Sequence, residues 1–263
     1  MIKKDVSTEA ANKNFTRHGV GSSHLDRALK EFRQWARQIQ ALAADSGVRV
    51  IPYFDPSLPY FSRLNPERQD KTLEALKVYV DVCDLALSKA GHLRSAKTMA
   101  WAALRKLGLT PSPELFHFIE DADVIEVHDA QGTQLFRNFE FFNYCSYSLE
   151  ELYCFSWEQL YHRAPQVTDD LLQMVQGIYA GELKGCFPVD LPLHDINERY
   201  SPLEYVIQAQ IKYASPLYAV GSPRVAATLV VEAGALTGPE LSSEEEEQKL
   251  ASHGVVGSLL ELL

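Results

Sequence analysis

The residue types most able to do chemistry are scattered along this 263-residue chain. It has eight histidines and four cysteines, and the two closest cysteines, Cys145 and Cys154, are nine positions apart. That spacing matches no zinc-ligand pattern, so we expect no metal site and four reduced thiols. His194-Asp195 could form a histidine–carboxylate dyad, but the pair follows Pro192 and we expect it in a solvated loop. The G-x-S-x-G, G-x-x-x-x-G-K and G-x-G-x-x-G motifs do not occur, so the sequence indicates no catalytic residue and no enzyme.

A run of aromatic residues is the main candidate for a binding function. Ten of them lie between Phe136 and Tyr161. Rings with polar tips suit a pocket that orients a ligand, and they equally suit a tightly filled core, so both interpretations stay open. If a pocket exists, strand alternation and the preceding helix predict the rest of its lining. The candidate ligand-binding residues are Tyr144, Phe155, Trp157, Met174, Tyr179, Phe187, Tyr205, Ile207 and Leu229.

Charge and hydropathy exclude several classes of partner. Lys plus Arg is 25 and Asp plus Glu is 35, which gives a net charge of −10. Such a chain is a poor binder of nucleic acid, because that affinity comes from neutralising phosphates with basic residues. No stretch approaches about 18 consecutive apolar residues, and no apolar region follows the basic N-terminus. We therefore expect a cytoplasmic protein with no membrane partner.

Helical patterns fill residues 22–120, after a polar segment, 1–21, that we expect to be a mobile arm. Asn65-Pro66-Glu67 predicts the start of a long helix that ends at Gly91. Its apolar residues lie on more than one face, which is typical of a helix buried on several sides. The N-terminal helices could form a dimerisation bundle, a separate small sensor, or a cover packed on a sheet.

The second half changes to strand patterns. Residues 124–138 read as strand, turn, strand, and short helices follow over 139–163. Thr168 is expected to cap a helix that ends at Gly181. Three strands are expected at 183–191, 203–214 and 225–233, the last of them central. The class is therefore α+β, with a five-stranded antiparallel sheet flanked by short helices. An acidic linker and tail over 235–263 complete the chain.

The segment 121–234 resembles a PAS domain. The turn Asp129-Ala130-Gln131-Gly132 lies between two strands, and Asn138 leads from the second strand to the aromatic run. The stretch 147–152, Tyr-Ser-Leu-Glu-Glu-Leu, is similar to the family's helix start, and Ser148 with Glu151 forms a capping box. Trp157, Leu160 and His162 then precede the long helix.

This resemblance implies a sensory protein of bacterial-type signal transduction. It implies a small ligand or a partner sensed between sheet and helices, and a population shift passed through the flanking helices to an output protein. The alternative is a ligand-free protein–protein interaction module, and either form fits a homodimer. The cofactor is unknown, but flavin–thiol chemistry is disfavoured because Trp157 occupies the position of the reactive Cys. Haem is disfavoured because the helix 168–181 has no His, although His162 or His194 could substitute.

Overall fold

The computed structural model describes residues 19–201, 203, 205–237, 242, 244–246, 248–250 and 252. They form helices packed on an antiparallel sheet, which confirms the predicted α+β class. The helices are α1 (Gly19–Asp45), α2 (Pro59–Ser62), α3 (Pro66–Ala90), α4 (Ala96–Lys106), α5 (Leu115–Phe118), α6 (Leu149–Cys154), α7 (Trp157–Leu160) and α8 (Pro165–Ala180), with a 3-10 turn, η1, at Phe139–Asn143. The strands are β1 (Leu109–Thr110), β2 (Val124–Asp129), β3 (Gln134–Arg137), β4 (Tyr161–His162), β5 (Phe187–Pro188), β6 (His194–Glu198), β7 (Val206–Ala219) and β8 (Val225–Leu236).

Helix α3 begins and ends where the sequence predicts. The Asn65 side chain accepts a hydrogen bond from the backbone N–H of Arg68 at 2.9 Å, and Pro66 takes the first helical position. Gly91 ends the helix at φ 72°, a left-handed conformation that glycine adopts without strain. These local signals confirm both boundaries of α3.

Helices α1, α3 and α4 cover one side of the sheet. Helix α3 packs between α1 and α4, and the Tyr79 ring lies 5.7 Å from that of Phe136 on β3 and 5.8 Å from that of Phe139. Buried residues of these helices and of the sheet form one continuous hydrophobic cluster. Of the three interpretations of the N-terminal helices, the structure has the cover packed on the sheet. The shared core crosses the predicted domain boundary at residues 120 and 121.

The sheet has the strand order β3-β2-β8-β7-β6-β4, with β1 and β5 paired to β7. Strand β8 lies between β2 and β7, so the prediction that 225–233 is a central strand is confirmed. The sheet has eight strands where the sequence predicts five. The three strands that the sequence does not predict are β1, β4 and β6, and β1 and β4 have two residues each, which is too short for side-chain alternation to reveal them.

One predicted strand is shorter in the structure, and one predicted loop is a strand there. The strand expected at 183–191 is reduced to β5, since Gly185 adopts φ 70° and Pro188 has no N–H to donate. The loop expected around His194 is wrong, because His194–Glu198 is strand β6, paired to β7 and β4. Most residues of this strand are polar, so a search for alternating apolar residues does not detect it.

Several helix boundaries also differ from the predictions. Helix α1 begins at Gly19, so only residues 1–18 of the expected arm lie outside the described residues. Helix α8 begins at Pro165 rather than after Thr168, because proline is favoured in a first turn. At the end of the helical pattern predicted over 22–120, the structure has only the single turn α5.

The expected acidic linker contacts the body of the protein. Strand β8 continues to Leu236, and a carboxylate oxygen of Glu246 accepts a hydrogen bond from Arg49 at 3.0 Å. The other oxygen accepts one from the Tyr205 hydroxyl, also at 3.0 Å, and Leu250 is buried. Residues 253–263 of the expected tail lie outside the described residues.

The two faces of the sheet carry different residues. We call the face against α3 the cover face, and its buried side chains are Ile125, Val127, Phe136, Leu229 and Val231. We call the other the polar face, and on it lie Glu126, His128, Arg137, Thr228 and Glu232. Helix α8 contacts β7 and β8, and its Tyr179 lies beside Thr228, so α8 covers the polar face.

A bulge in β7 changes which residues share a face. The register shifts between Ile211 and Tyr213, so Ile207, Ala209 and Ile211 lie on the polar face while Tyr213 lies on the cover face. There Tyr213 stacks on Phe118 with ring centroids 4.6 Å apart. Side-chain alternation along the strand predicted at 203–214 is therefore interrupted before Tyr213.

Candidate functional site

Two glutamates lie deep on the polar face. In the register between β2 and β8, Val124 pairs with Glu232 and Glu126 pairs with Val230. The two carboxylates therefore occupy diagonal positions on one face of adjacent strands, where side chains come within reach of each other. A charged group in such an interior persists only when other groups compensate for its lost hydration.

The neighbours of Glu126 keep it ionised. The imidazole Nε2 of His128 donates a hydrogen bond to the Glu126 carboxylate at 2.9 Å. Burial alone would raise the pKa of Glu126, but this bond and the charges of His128, Arg137 and Arg163 outweigh it and lower the pKa. Glu126 is therefore an anion at neutral pH.

The pKa of Glu232 is shifted in the opposite direction. Burial raises its pKa to about 7, and the nearby charge of Glu126 adds to the increase, while Arg163 and His128 oppose it. Within the described part of the chain, no donor hydrogen-bonds to its carboxylate. Near neutral pH Glu232 therefore holds a proton for part of the time and can gain or lose it when its surroundings change.

Two arginines stand beside these acids without a carboxylate partner. The Arg163 guanidinium lies 5.3 Å from the Trp157 ring centroid, and its buried Nε has no acceptor. Arg137 is 2% exposed and lies 5.0 Å from the Phe141 ring and 5.5 Å from the Tyr153 ring. Its Nη2 donates to the Leu152 carbonyl at 3.4 Å, whereas its Nη1 has no partner. Among the described residues no carboxylate lies within 4.0 Å of either guanidinium.

One ring nitrogen of His194, on the same face, has no hydrogen-bond partner. Its Nδ1 lies 3.0 Å from the Pro192 carbonyl, which can only accept, so Nδ1 carries the proton. Burial lowers the pKa of His194, and the charge of Arg163 adds to the decrease, so the ring is neutral. The buried Nε2 therefore has a free lone pair and no donor to fill it. His194 and Asp195 form no dyad, because the two side chains alternate across β6.

The Tyr179 and Thr228 hydroxyls form a second unsatisfied pair. Thr228 pairs with His128 across the strands, and Tyr179 of α8 lies above it. The two hydroxyls are neighbours, but neither makes a hydrogen bond of ordinary geometry. Thr228 is four residues from Glu232 along β8, or about 13 Å at the strand rise. The pair therefore lies at one end of the polar face and His194 lies at the other.

The pair of Glu126 and His128 is partly accessible. Glu126 is deep in the protein, yet 13% of its side chain and 20% of that of His128 remain accessible. We call Glu126, His128, Arg163, His194 and Glu232 the polar cluster, and this cluster is the candidate site.

The structure brings some of the sequence-predicted residues to this site. Trp157 stacks on Arg163, Tyr179 lies over Thr228, and Ile207 is buried on the polar face. Tyr144 packs against Gly234, on the same face.

The other predicted residues lie elsewhere. Met174 and Phe187 line a groove of about 570 Å³ between α8 and residues 182–191. Phe155 packs on Tyr60 at 4.8 Å, and Leu229 lies on the cover face. Tyr205 is bound to Glu246.

Sequence reasoning missed Glu126, Arg163 and Glu232. Each is a lone charged residue, and no motif joins them. One signal was available, because Glu232 stands in a strand predicted to be covered on both faces. A charged residue at such a position indicates a buried polar network.

The thiols are not nucleophiles. Burial raises the pKa of Cys83, Cys145 and Cys154 far above the ordinary range, and raises that of the half-buried Cys186 to about 11. Since the thiolate is the reactive form, these side chains are inert near neutral pH.

Three further findings are relevant to the function of this chain. The described residues contain no group of three or more His, Cys, Asp or Glu that could hold a metal ion. No helix in that part of the chain has the length and apolar character needed to cross a membrane. Comparison with protein-family models, with curated proteins and with solved structures finds no match. Function is therefore argued from the geometry of the polar cluster.

Proposed function

We propose that this chain is a PAS-like sensory protein that binds a small polar ligand between the polar face and helix α8. Two strands, short helices, one long helix and closing strands follow each other over 121–236, in the order that the resemblance implies. The proposed role is regulatory: ligand binding changes the packing of sheet and helices and thereby the affinity for an output protein.

One observation carries this proposal. Seven buried side-chain polar atoms in the described residues have no hydrogen-bond partner, and five belong to residues on or above the polar face. These five residues are Arg137, Arg163, Tyr179, His194 and Thr228. More than about 90% of such atoms are satisfied in folded proteins, so a concentration of unsatisfied ones marks a place where another molecule completes the bonding.

The same residues offer a route from the site to the N-terminal helices. Arg137 pairs with Glu126 across β2 and β3. The charge of Arg137 also reaches the buried Tyr79 hydroxyl on α3, which has no partner of its own. A ligand that changes the charge at Glu126 would therefore alter the position of Arg137 against α3, which connects sensing to the helical cover.

Native mass spectrometry of the purified full-length chain tests this proposal. We expect a stoichiometric extra mass that is released on denaturation and can be identified. Glu232→Leu fills the site with an apolar side chain and should lose that mass, whereas Glu74→Leu on the exposed side of α3 should keep it. A chain that carries no extra mass, and binds nothing from the small-molecule fraction of a cell extract, would contradict a sensory role.

A second candidate, the ligand-free interaction module, is favoured by the packing of α8. Only Val167 and Ile178 of its sixteen residues are buried, while Leu172 on it and Leu193 nearby are 43% and 55% exposed. Exposed apolar side chains beside a groove are typical of a partner site. Light scattering of the wild type and of Leu172→Glu tests this candidate: loss of a dimer or complex supports a partner site on α8, and an unchanged mass opposes it.

A further inference from the structure

The unsatisfied groups of the polar cluster specify the chemistry of their ligand, and this inference rests on the proposed function. His194 offers a lone pair at Nε2, because its Nδ1 proton is engaged by the Pro192 carbonyl. A ligand must therefore bring a hydrogen-bond donor to this nitrogen. His194 is 8% exposed, so a missing donor is not readily replaced by bulk water.

Arg163 requires the complementary group. Its buried Nε–H has no acceptor, and no carboxylate of the described residues lies within 4.0 Å of the guanidinium. The guanidinium lies over the Trp157 ring, 5.3 Å from its centroid. A planar guanidinium held in this way is suited to pairing with a carboxylate through two parallel hydrogen bonds.

The two glutamates exclude a simple anion. Glu126 is ionised, and Glu232 lies diagonal to it without a donor of its own. A bare carboxylate ligand would add a third acid to this region, which like-charge repulsion opposes. A ligand whose carboxylate is accompanied by a cationic donor adds no net charge and supplies Glu232 with the hydrogen bond that it lacks.

We propose that the polar cluster binds a free α-amino acid, with its carboxylate on Arg163 and its ammonium group between Glu232 and the Nε2 of His194. The zwitterion gives hydrogen-bond partners to the guanidinium of Arg163, the Nε2 of His194 and the carboxylate of Glu232 at the same time. As the ammonium group arrives, Glu232 releases its proton to solvent, so binding is accompanied by proton release near neutral pH.

Binding measurements with the twenty proteinogenic L-amino acids test this assignment on the full chain, first by thermal shift and then by calorimetry. We expect one or a few to bind. For each binder, the analogue without the amino group and the analogue without the carboxyl group should bind at least about tenfold more weakly, because each leaves buried polar groups unpaired. Calorimetry in buffers of different ionisation enthalpy should detect the released proton.

Two variants locate the interaction. Arg163→Met keeps the length of the side chain and should weaken binding by at least about tenfold, as expected for a lost charge-assisted bond. Arg105→Met is the matched control, since Arg105 lies 5.5 Å from the Trp101 ring on α4, away from the polar face. Arg105→Met should melt near the wild-type temperature, because Arg105 makes no ion pair within the described residues. Arg163→Met also removes a charge that helps to keep Glu126 ionised, so its melting temperature is measured alongside its affinity.

Each of the other outcomes contradicts a specific part of the two proposals. If no amino acid binds but mass spectrometry finds another compound, the ligand class is wrong and the sensory proposal stands. If neither is found, ordered water alone fills the site and both proposals fail. Equal binding of the deaminated analogue refutes the role of Glu232 and His194, and unchanged affinity in Arg163→Met refutes the location.

Discussion

Asn138 joins the start of β2 to the end of β3, and replacing it should destabilise the sheet strongly. It is 3% exposed, its Oδ1 accepts from the Ile125 N–H at 3.0 Å, and its Nδ2 donates to the Asp123 carbonyl at 2.8 Å. Asn138→Ala leaves both backbone groups buried without a partner. At about 1–3 kcal/mol for each of the two orphaned groups, we expect a loss of about 2–6 kcal/mol in the free energy of unfolding.

Urea unfolding followed by circular dichroism measures this loss, and the melting temperature should fall by about 4–24 °C at roughly 2–4 °C per kcal/mol. Asn143→Ala is the matched control, since Asn143 is exposed and its side chain makes a single bond, to Glu140 at 3.0 Å. Asn138→Asp keeps the volume and the acceptor but loses the donor, so its effect separates hydrogen bonding from packing. If Asn138→Ala stays within about 0.5 kcal/mol of the control, a typical surface effect, the assignment of Asn138 as a backbone bridge is refuted.

Three further outcomes are expected. Lys212→Met should lower the free energy of unfolding by about 2 kcal/mol in chemical denaturation, because it leaves the buried Asp123 carboxylate without its ion pair at 2.9 Å. Lys71→Met, on the exposed side of α3, should cost almost nothing. Ser148→Ala should cost about 1 kcal/mol and more than Ser156→Ala, since the capping box of α6 is buried and that of α7 is exposed; equal losses would contradict this. Burial raises the pKa of Glu150 to about 7 against about 4.3 unfolded, so stability from this group falls as pH rises between those values. Glu150→Gln retains an acceptor for the Tyr60 and Phe61 N–H groups, so its melting temperature relative to wild type should be higher at pH 8 than at pH 4; an equal difference at both would contradict the assignment.

Local signals explain which elements could be predicted from the sequence. The cap of α3 at Asn65, the capping box at Ser148 and Glu151, and the turn at Gly132 depend on residues within a few positions of each other. Their hydrogen bonds form inside the segment that encodes them, so the sequence reveals them without knowledge of the fold.

The missed elements depend on distant partners. Strand β6 exists because β7 and β4 pair with it, and its own residues have no apolar alternation. The polar cluster joins Glu126, Arg163 and Glu232 from three strands or strand ends, so only the register places them together. The change of face at Tyr213 follows from a one-residue bulge that propensity alone does not locate.

The shallow packing of α8 should let this helix open before the more deeply buried ones. A helix anchored by Val167 and Ile178 opens at a lower free energy than α3, in which nine residues are buried. Amide hydrogens of α8 should therefore exchange with solvent well before those of α3.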